Sequence, residues 1–278
     1  MGPVATLAHV PEGDSVYRLA RRLEPALKGQ RLLRGELRVP AHATDDLRGR
    51  TVLGLDTHGK HLLTRFDGAL TLHTHLKMDG SWSVVRPGRQ LPRALLPDVR
   101  VLLRGENGST AYGLAMPVVE LLHTRDEGDV VGHLGPDPLR ADWDAAAAVR
   151  RLSADPARLL AAALLDQRNL AGLGNLWANE LCFLRGYSPW TPIADVDVAA
   201  TVALAARALR HSALVPGAYQ VTTGRNRRGQ DHWVTGRAGQ PCLRCGTTIL
   251  VVAEAPGDPE RRRTWWCPRC QPGPGPDR

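Results

Sequence analysis

The sequence has no long hydrophobic run and contains little lysine, cysteine or phenylalanine. No apolar stretch among its 278 residues approaches the ~18 needed to cross a bilayer, which argues against a membrane-spanning helix. Residues 1–10 lack the basic start and long apolar stretch of a secretory signal. We therefore expect a cytoplasmic protein with no membrane partner, in a reducing compartment where cysteines bind metal more readily than they pair with each other.

Positive charge is carried almost entirely by arginine and is concentrated near the C-terminus. Lysine occurs at only three positions, and the formal net charge is +8 with a sequence pI of about 9.8. Residues 221–278 contain ten arginines against five acidic residues, so this segment carries +5 of that excess. The balance favours a polyanionic partner, nucleic acid before membrane, although GC-rich coding alone also explains the arginine bias.

The hydrophobic pattern changes from β-rich to helical along the chain. Apolar residues at helical spacing begin at Pro11, with Asp14 or Ser15 as the expected cap, and end at Gly29. Short runs separated by turns that carry Gly and Asp then predict strands over Arg31–Val39, Thr51–Asp56, Lys60–Phe66, Ala69–Leu76, Ser81–Val85, Val99–Arg104 and Thr110–Leu122. Helices are predicted over Asp142–Leu152, Ala157–Leu164, Asn175–Phe183 and Val196–His211.

Four of the five cysteines form two knuckles, Cys242-x-x-Cys245 and Cys267-x-x-Cys270, separated by 21 residues. Each knuckle directs two thiolates at one ion, and two knuckles complete a tetrahedron. Four cysteine ligands leave no open position, so we expect one structural Zn²⁺ per chain; a coincidental thiol cluster or disulfides are the alternatives. The spacer suits a β-hairpin, and its Arg261–Arg263 run is expected to contact phosphate or enter a groove unless it is a solvated turn.

The remaining potential metal ligands are interpreted as structural residues. Cys182 stands alone on an apolar helix and is expected in the core. His73 and His75 alternate with Thr74 in a predicted strand, a pattern more typical of a sheet than of a second metal site.

A glycine-containing turn between two predicted helices, Asp166–Asn175, has features of a phosphate-binding site. Gly172 and Gly174 permit close backbone approach, and Asn175 is expected to cap the helix that follows. Unpaired amides at the positive end of a helix suit a DNA phosphate. Most glycine-rich helix turns only connect helices, so the turn alone decides nothing.

Six motifs occur in a fixed order along the chain. They are Pro11–Asp14 (PEGD), Gly59–Leu62 (GKHL), His75–Trp82 (HLKMDGSW), Leu134–Leu139 (LGPDPL), Asp166–Glu180 (DQRNLAGLGNLWANE) and Gly236–Cys242 (GRAGQPC). From Pro11 to Gln271 this set resembles the bacterial formamidopyrimidine-DNA glycosylase / endonuclease VIII family. The first and third motifs look closer to the endonuclease VIII branch found in actinobacteria than to the formamidopyrimidine branch.

The resemblance implies an α+β multidomain fold with DNA in the cleft between domains. We expect an extension at 1–10, an N-terminal β-sandwich with a leading helix at 11–131, a linker at 132–140, a helix–two-turn–helix domain at 141–220, a four-cysteine zinc ribbon at 221–271 and a disordered tail at 272–278. It also implies a monomer in the cytoplasm, associated with the nucleoid, that binds double-stranded DNA containing a damaged base or an abasic site.

For catalysis, the resemblance implies a bifunctional DNA glycosylase and AP lyase. Pro11 matches the family's N-terminal proline nucleophile, Glu12 the adjacent acid and Lys60 a lysine on a β-hairpin. A terminal secondary amine is nucleophilic near neutral pH because α-amino groups titrate around pH ~8. Its attack at C1′ expels the base and leaves an iminium, which permits β- and then δ-elimination. Glu12 would move protons, and Lys60 would serve as an acid or hold a phosphate.

For DNA binding, the resemblance implies phosphate contacts from Asn175 and Arg262. Met78 matches a residue wedged into the space left by a flipped base, which an unbranched apolar side chain can fill. The stretch between Tyr219 and Gly236 is short and basic and lacks an obvious long lesion-reading loop. This favours oxidised pyrimidines over 8-oxoguanine as the excised bases.

The chain departs from the family pattern at Pro11, because ten residues precede it. An acylated proline nitrogen is an amide and cannot form an iminium. We therefore hypothesise that translation begins at Val10, read as Met from a GTG codon and then removed. The alternatives are a non-catalytic damaged-DNA-binding protein of the same fold, or a zinc-ribbon regulator, which would explain 221–272 but not the motifs before it.

Overall fold

A computed structural model describes residues 11–227, 229–253 and 262–276. The extension at 1–10, with Val10, and Arg261 of the ribbon lie outside the described residues. The elements are α1 (Gly13–Leu27), β1 (Leu32–Leu37), β2 (Val52–His58), β3 (His61–Phe66), β4 (Leu70–His75), β5 (Ser81–Val85), β6 (Val99–Gly105), β7 (Thr110–Leu114), β8 (Val118–His123), α2 (Glu127–Val131), α3 (Ala145–Leu152), α4 (Leu160–Leu165), α5 (Asn175–Arg185), α6 (Val198–Leu214), β9 (Leu250–Val252) and β10 (Thr264–Trp266).

Two antiparallel four-stranded sheets form the predicted β-sandwich. The strand orders are β1-β6-β7-β5 and β2-β3-β4-β8. Alternating side chains of both sheets point inward and share one core with α1, in which Leu23, Phe66 and Leu103 are completely or almost completely buried. The fold class with a leading helix is confirmed.

The predicted strand Thr110–Leu122 is wrong, because it is two strands in different sheets. β7 pairs with β5 and β6, whereas β8 pairs with β4. Between them, Ala115 has a φ of 46°, and Pro117 follows two residues later. A left-handed residue followed by a proline, which lacks an N–H group, turns the chain out of the first sheet. The apolar pattern continues across this corner and so hides it.

The first helix starts earlier than the expected caps indicate. Its N-cap is Glu12, not Asp14 or Ser15, and the backbone N–H of Glu12 donates to Ser15 Oγ at 3.3 Å. Asp14 instead accepts hydrogen bonds from Trp177 Nε1 at 3.2 Å and from Ser212 Oγ. Asp14 is therefore used for a long-range contact with α5 and α6.

The second half of the chain is helical around its own core, which includes the completely buried Cys182 as predicted. α3 starts at Ala145 because Asp144 caps it, and α6 starts at Val198 because Asp197 caps it. The sequence pattern did not indicate α2. Among the described residues, no helix has the length and apolar character needed to cross a membrane.

The cysteine-containing segment packs on α5. Phe183 of α5 stacks on Trp233, with ring centroids 5.2 Å apart, and the Arg244 guanidinium lies 4.3 Å from the Phe183 centroid. The backbone N–H of Trp265 donates to Asn179 Oδ1 at 2.9 Å. In the tail, Pro274 O accepts a hydrogen bond from Ser188, while residues 277 and 278 lie outside the described part.

Candidate active site and nucleic-acid interface

The carboxylate of Glu12 lies at the N-terminus of α5 and is completely buried. It accepts hydrogen bonds from the backbone N–H groups of Gly174 at 2.7 Å, Leu176 at 2.8 Å and Trp177 at 3.4 Å. These are N–H groups that a helix start leaves without an intrahelical partner, and they stabilise an anion there. Glu12 thereby fixes the start of α1, with Pro11 next to it, against the glycine-containing turn.

Three glycines meet where α1, the β2–β3 hairpin and the glycine-containing turn come together. Gly13 N–H donates to Gly172 O at 2.8 Å, and a Cβ on Gly13 would lie 2.7 Å from Gly172 Cα. Gly59 has a φ of 57°, and its N–H donates to Asp137 Oδ2 at 2.7 Å. The hairpin tip is thus held against Gly172, which brings Lys60 to the side of the site where Glu12 lies.

The electrostatic surroundings of Glu12 favour proton exchange near neutral pH. The pKa of Glu12 is raised to about 7, chiefly by burial, with the Lys60 charge opposing the rise and the neighbouring Asp14 adding to it. Burial also raises the pKa of Asp14, against hydrogen bonds from Ser212 and Trp177. A carboxyl group with such a pKa can act as either acid or base at neutral pH.

The predicted phosphate-binding residues lie close to each other. Asn175 Nδ2 donates to the carbonyl of Arg263 at 2.9 Å, so the start of α5 touches the residue next to Arg262. Gly174, not Asn175, is the N-cap of α5, which corrects the expected cap. Met78 lies on the β4–β5 turn, and 67% of its surface is exposed.

The four cysteine side chains converge as the spacing predicts. The sulfur atoms of Cys242, Cys245, Cys267 and Cys270 all lie within 4.8 Å of one another. The Cys242–Cys270 and Cys245–Cys267 sulfur pairs are 4.0 and 3.5 Å apart. A tetrahedron with metal–sulfur bonds of about 2.3 Å has edges of about 3.8 Å, so the sulfur atoms fit one tetrahedral ion.

Glu180 is a site-supporting residue that the sequence pattern does not reveal. It is completely buried in α5 and accepts hydrogen bonds from the backbone N–H groups of Trp233, Val234 and Thr235 at 2.8–3.0 Å. It therefore anchors the segment that leads into the cysteine ribbon. Its partners lie more than fifty residues away, and only the fold brings them to this carboxylate.

Replacing Gly174 by alanine should destabilise the protein, because the new methyl group meets the Glu12 side chain. A Cβ there would lie 2.4 Å from Glu12 Cδ and 2.6 Å from its Oε1. We expect the free energy of unfolding to fall by about 1–3 kcal/mol, the usual cost of overpacking. Urea denaturation measures it, with Gly128→Ala as the control, because a Cβ at Gly128 meets no atom within 4 Å outside its chain neighbours and its own helix backbone. Equal stability of the two variants would contradict the close contact.

Comparison with known proteins identifies the family. The model of the formamidopyrimidine-DNA glycosylase N-terminal domain matches residues 10–112, and that of the H2TH domain of the same enzymes matches residues 134–212. The chain belongs to the formamidopyrimidine-DNA glycosylase family. The resemblance stated from the six motifs is confirmed.

Curated relatives of this family are similar over nearly their whole length. A protein named "Probable endonuclease 8 2" from Streptomyces coelicolor is 50% identical over 270 residues, covering 96% of each chain. The "DNA-(apurinic or apyrimidinic site) lyase Nei2" of Mycolicibacterium smegmatis is 40% identical, covering 94% of this chain and 99% of its own. The formamidopyrimidine-DNA glycosylase of Rhodospirillum rubrum is 33% identical, so the endonuclease VIII branch is favoured, as expected.

Solved structures of the family share the fold. The MutM (Fpg) protein from Thermus thermophilus superposes with a TM-score of 0.70 at 30% identity, covering 95% of this chain and all of its own. Lactococcus lactis Fpg, solved in complex with DNA containing an abasic site, gives a TM-score of 0.75 at 21% identity, covering 94% and 100%.

Proposed function

We propose that this chain is a base-excision-repair enzyme, a DNA glycosylase with AP lyase activity that removes oxidised bases, with pyrimidines preferred. The observation that carries the proposal is the buried Glu12 carboxyl, which has a pKa of about 7 and is held on the amides of α5 beside Pro11. The names of the relatives, endonuclease 8 and AP lyase, describe the same reaction class. The arginine-rich C-terminal segment is consistent with a DNA substrate. The proposed place of action is the nucleoid.

The proposed reaction begins when the nitrogen of Pro11 donates its electron pair to C1′ of the damaged nucleotide. The bond from C1′ to the base breaks, its electron pair leaves with the base, and the base takes up the proton that the Pro11 nitrogen releases. Protonated Glu12 gives its own proton to the sugar ring oxygen as the bond from C1′ to that oxygen breaks and the ring opens to the iminium. The resulting iminium acidifies the C2′ proton, so the 3′ and then the 5′ phosphate leave by β- and δ-elimination. Lys60, on the same side as Glu12, is placed to act as an acid or to hold a phosphate.

This reaction requires Pro11 to carry a free secondary amine, since an amide nitrogen has no available electron pair for attack. We therefore propose that the active form begins at Pro11, after removal of a Met initiated at position 10. The same proposal treats residues 1–10 as an extension, 11–131 as the catalytic sandwich, 132–140 as a linker, 141–220 as the helix–two-turn–helix domain and 221–271 as the ribbon.

We propose one structural Zn²⁺ per chain as the ion held by the four cysteines. The donor set supports it: four sulfur atoms at tetrahedral spacing leave no open position for a substrate or water. When bound, the ion stabilises the fold of the ribbon. In this proposal the ribbon offers Arg262 to a DNA phosphate. The ribbon is linked to α5 by the hydrogen bond from the Asn175 side chain to the Arg263 carbonyl.

DNA binding should depend steeply on salt, because phosphate contacts release counterions. With Lys60, Arg262 and the basic stretch that includes Arg225 and Arg227 supplying about five charged phosphate contacts, we expect a slope of log K against log salt of about −4 to −5. Fluorescence anisotropy at several KCl concentrations measures it. Arg262→Gln should reduce the slope by about one, and a slope near zero for the unmodified protein would contradict a DNA-binding function.

Incision of defined duplexes tests the function. One duplex carries thymine glycol, one carries 8-oxoguanine, one carries an abasic site, and one is undamaged. Protein that begins at Pro11 should cut the thymine glycol duplex and the abasic duplex, leaving both 3′- and 5′-phosphate ends. It should cut the 8-oxoguanine duplex more slowly. If the protein binds the abasic duplex but cuts none of the four duplexes, it is a non-catalytic damaged-DNA-binding protein of the same fold and not an enzyme.

A further inference from the structure

A glutamate and three histidines form a continuous array across one sheet of the sandwich. Glu120 of β8 lies opposite His73 of β4, and its Oε2 accepts a hydrogen bond from His73 Nδ1 at 2.7 Å. His73 Nε2 lies 2.8 Å from Nδ1 of His61 on β3. The His61 and His75 rings then pack in a T-shaped arrangement, at a centroid distance of 4.7 Å and an interplanar angle of 77°. We call Glu120, His73, His61 and His75 the histidine array.

Hydrogen bonding fixes the tautomers of the inner rings. The Glu120 carboxylate can only accept, so His73 Nδ1 carries a proton and donates it to Oε2. When His73 is a neutral ring, its Nε2 is an acceptor and Nδ1 of His61 is the donor. Burial and the neighbouring histidines lower the pKa of His61 to about 2, and burial with the Lys77 and Lys60 charges lowers that of His75 to about 4. Both rings are therefore neutral at neutral pH.

The last ring of the array, His75, holds the turn that carries Met78. Its Nδ1 accepts a hydrogen bond from the backbone N–H of Lys77 at 3.0 Å, which requires a neutral ring with its proton on Nε2. Lys77 has a φ of 47°, a left-handed conformation that is unfavourable for a residue with a side chain. Gly80 N–H closes the turn on Leu76 O at 2.8 Å. The conformation that exposes Met78 thus depends on the orientation of His75.

We propose that the histidine array positions Met78 for DNA binding: Glu120, acting through His73 and His61, orients His75 so that the turn presents Met78 to the duplex. This inference rests on the proposed function, because it takes Met78 as the side chain that fills the gap left by an extruded base. Glu120 and His73 are positioning residues, which act through the rings and not by contact with DNA.

Two substitutions of Glu120 in the full chain test the array. Alanine removes the acceptor for His73, whereas glutamine keeps one in its carbonyl oxygen, and the 49% exposure of the Glu120 side chain means that neither opens a core cavity. The probe is a duplex with a tetrahydrofuran abasic analogue and 2-aminopurine as the orphaned base. We expect Glu120→Ala to weaken binding about five- to tenfold and to reduce the rise in 2-aminopurine fluorescence. Glu120→Gln should restore both.

Two further variants separate positioning from a general loss of structure. His61→Phe keeps a ring beside His75 but loses the Nδ1 donor, and it should behave like Glu120→Ala. In a Met78→Ala background, Glu120→Ala should have no further effect, because the array then has no side chain to position. Unchanged binding and fluorescence in Glu120→Ala, or additive effects of Glu120→Ala and Met78→Ala, would overturn the proposal. An unmodified protein that does not prefer the abasic duplex to undamaged DNA would instead contradict the proposed function.

Discussion

Replacing Glu12 by glutamine will lower the rate of base release from a thymine glycol duplex by about 10²- to 10⁴-fold, the usual contribution of a positioned proton donor. Glutamine keeps the size of the side chain but cannot release a proton. The three backbone N–H groups that point at Glu12 also suit a carboxylate better than an amide. Single-turnover kinetics with protein that begins at Pro11 measures the effect.

The matched control is Glu24→Gln on the same helix, whose carboxylate pairs with Arg21 and Lys28 away from the site. It should leave the rate unchanged. A melting temperature recorded for each variant separates loss of catalysis from loss of fold. If the Glu12→Gln variant released the base as fast as the unmodified protein, Glu12 would have no catalytic role.

The pH dependence of base release follows from two groups of which one must be protonated and the other unprotonated. Glu12 must be protonated, with a pKa of about 7, and the Pro11 amine must be unprotonated, with a pKa of about 8. The rate should rise up to pH about 7, stay level to about 8 and then fall about tenfold per unit. In Glu12→Gln the alkaline decline should be absent, leaving a rise to about pH 8 and a plateau.

Loss of the metal is the second change with a large expected effect. Cys267 is completely buried, and Cys267→Ser should abolish binding of the proposed Zn²⁺ and unfold the ribbon, because the free energy of metal binding stabilises such small folds. Arg262 would then no longer be held beside the start of α5. We expect the affinity for an abasic duplex to fall on the order of 10- to 100-fold, as for a lost charged contact. Metal analysis and anisotropy on the same samples measure both.

Cys182→Ala serves as the control, because this fifth cysteine lies in the helical core and not in the cluster. It should keep one Zn²⁺ per chain and bind DNA normally. Chelation of the unmodified protein should reproduce the Cys267→Ser defect, and added Zn²⁺ should reverse it. A Cys267→Ser protein that loses the metal yet binds DNA normally would contradict the role given to the ribbon.

Local patterns in the sequence were enough to predict most elements and the cysteine cluster. The short run over 60–66, with Leu62, Leu63 and Phe66 between two turns, predicts a strand whichever strand it pairs with, and two CxxC knuckles specify their ligands by spacing alone. The corner at Ala115 could not be predicted in this way, since the apolar run continues through it from Leu114 to Val119. Only the sheet pairing shows that β7 and β8 separate.

Contacts between distant residues could not be predicted from the sequence. The motif marks Glu12 as acidic and next to Pro11, but not that its carboxylate binds amides more than 160 residues away. The histidine array likewise depends on the register of β3, β4 and β8, which places His61, His73 and Glu120 side by side. Spacing suggested only that His73 and His75 belong to one strand.

Borohydride trapping on a duplex with an abasic site tests the central claim, that the amine of Pro11 forms an iminium with DNA. Two forms of the protein are compared, one that begins at Met1 and one that begins at Pro11. We expect a covalent protein–DNA product with the Pro11 form and none with the Met1 form, while both bind the duplex. Equal trapping by both forms would place the nucleophile elsewhere, and no trapping by either form, with DNA binding intact, would make the protein a non-catalytic binder of damaged DNA.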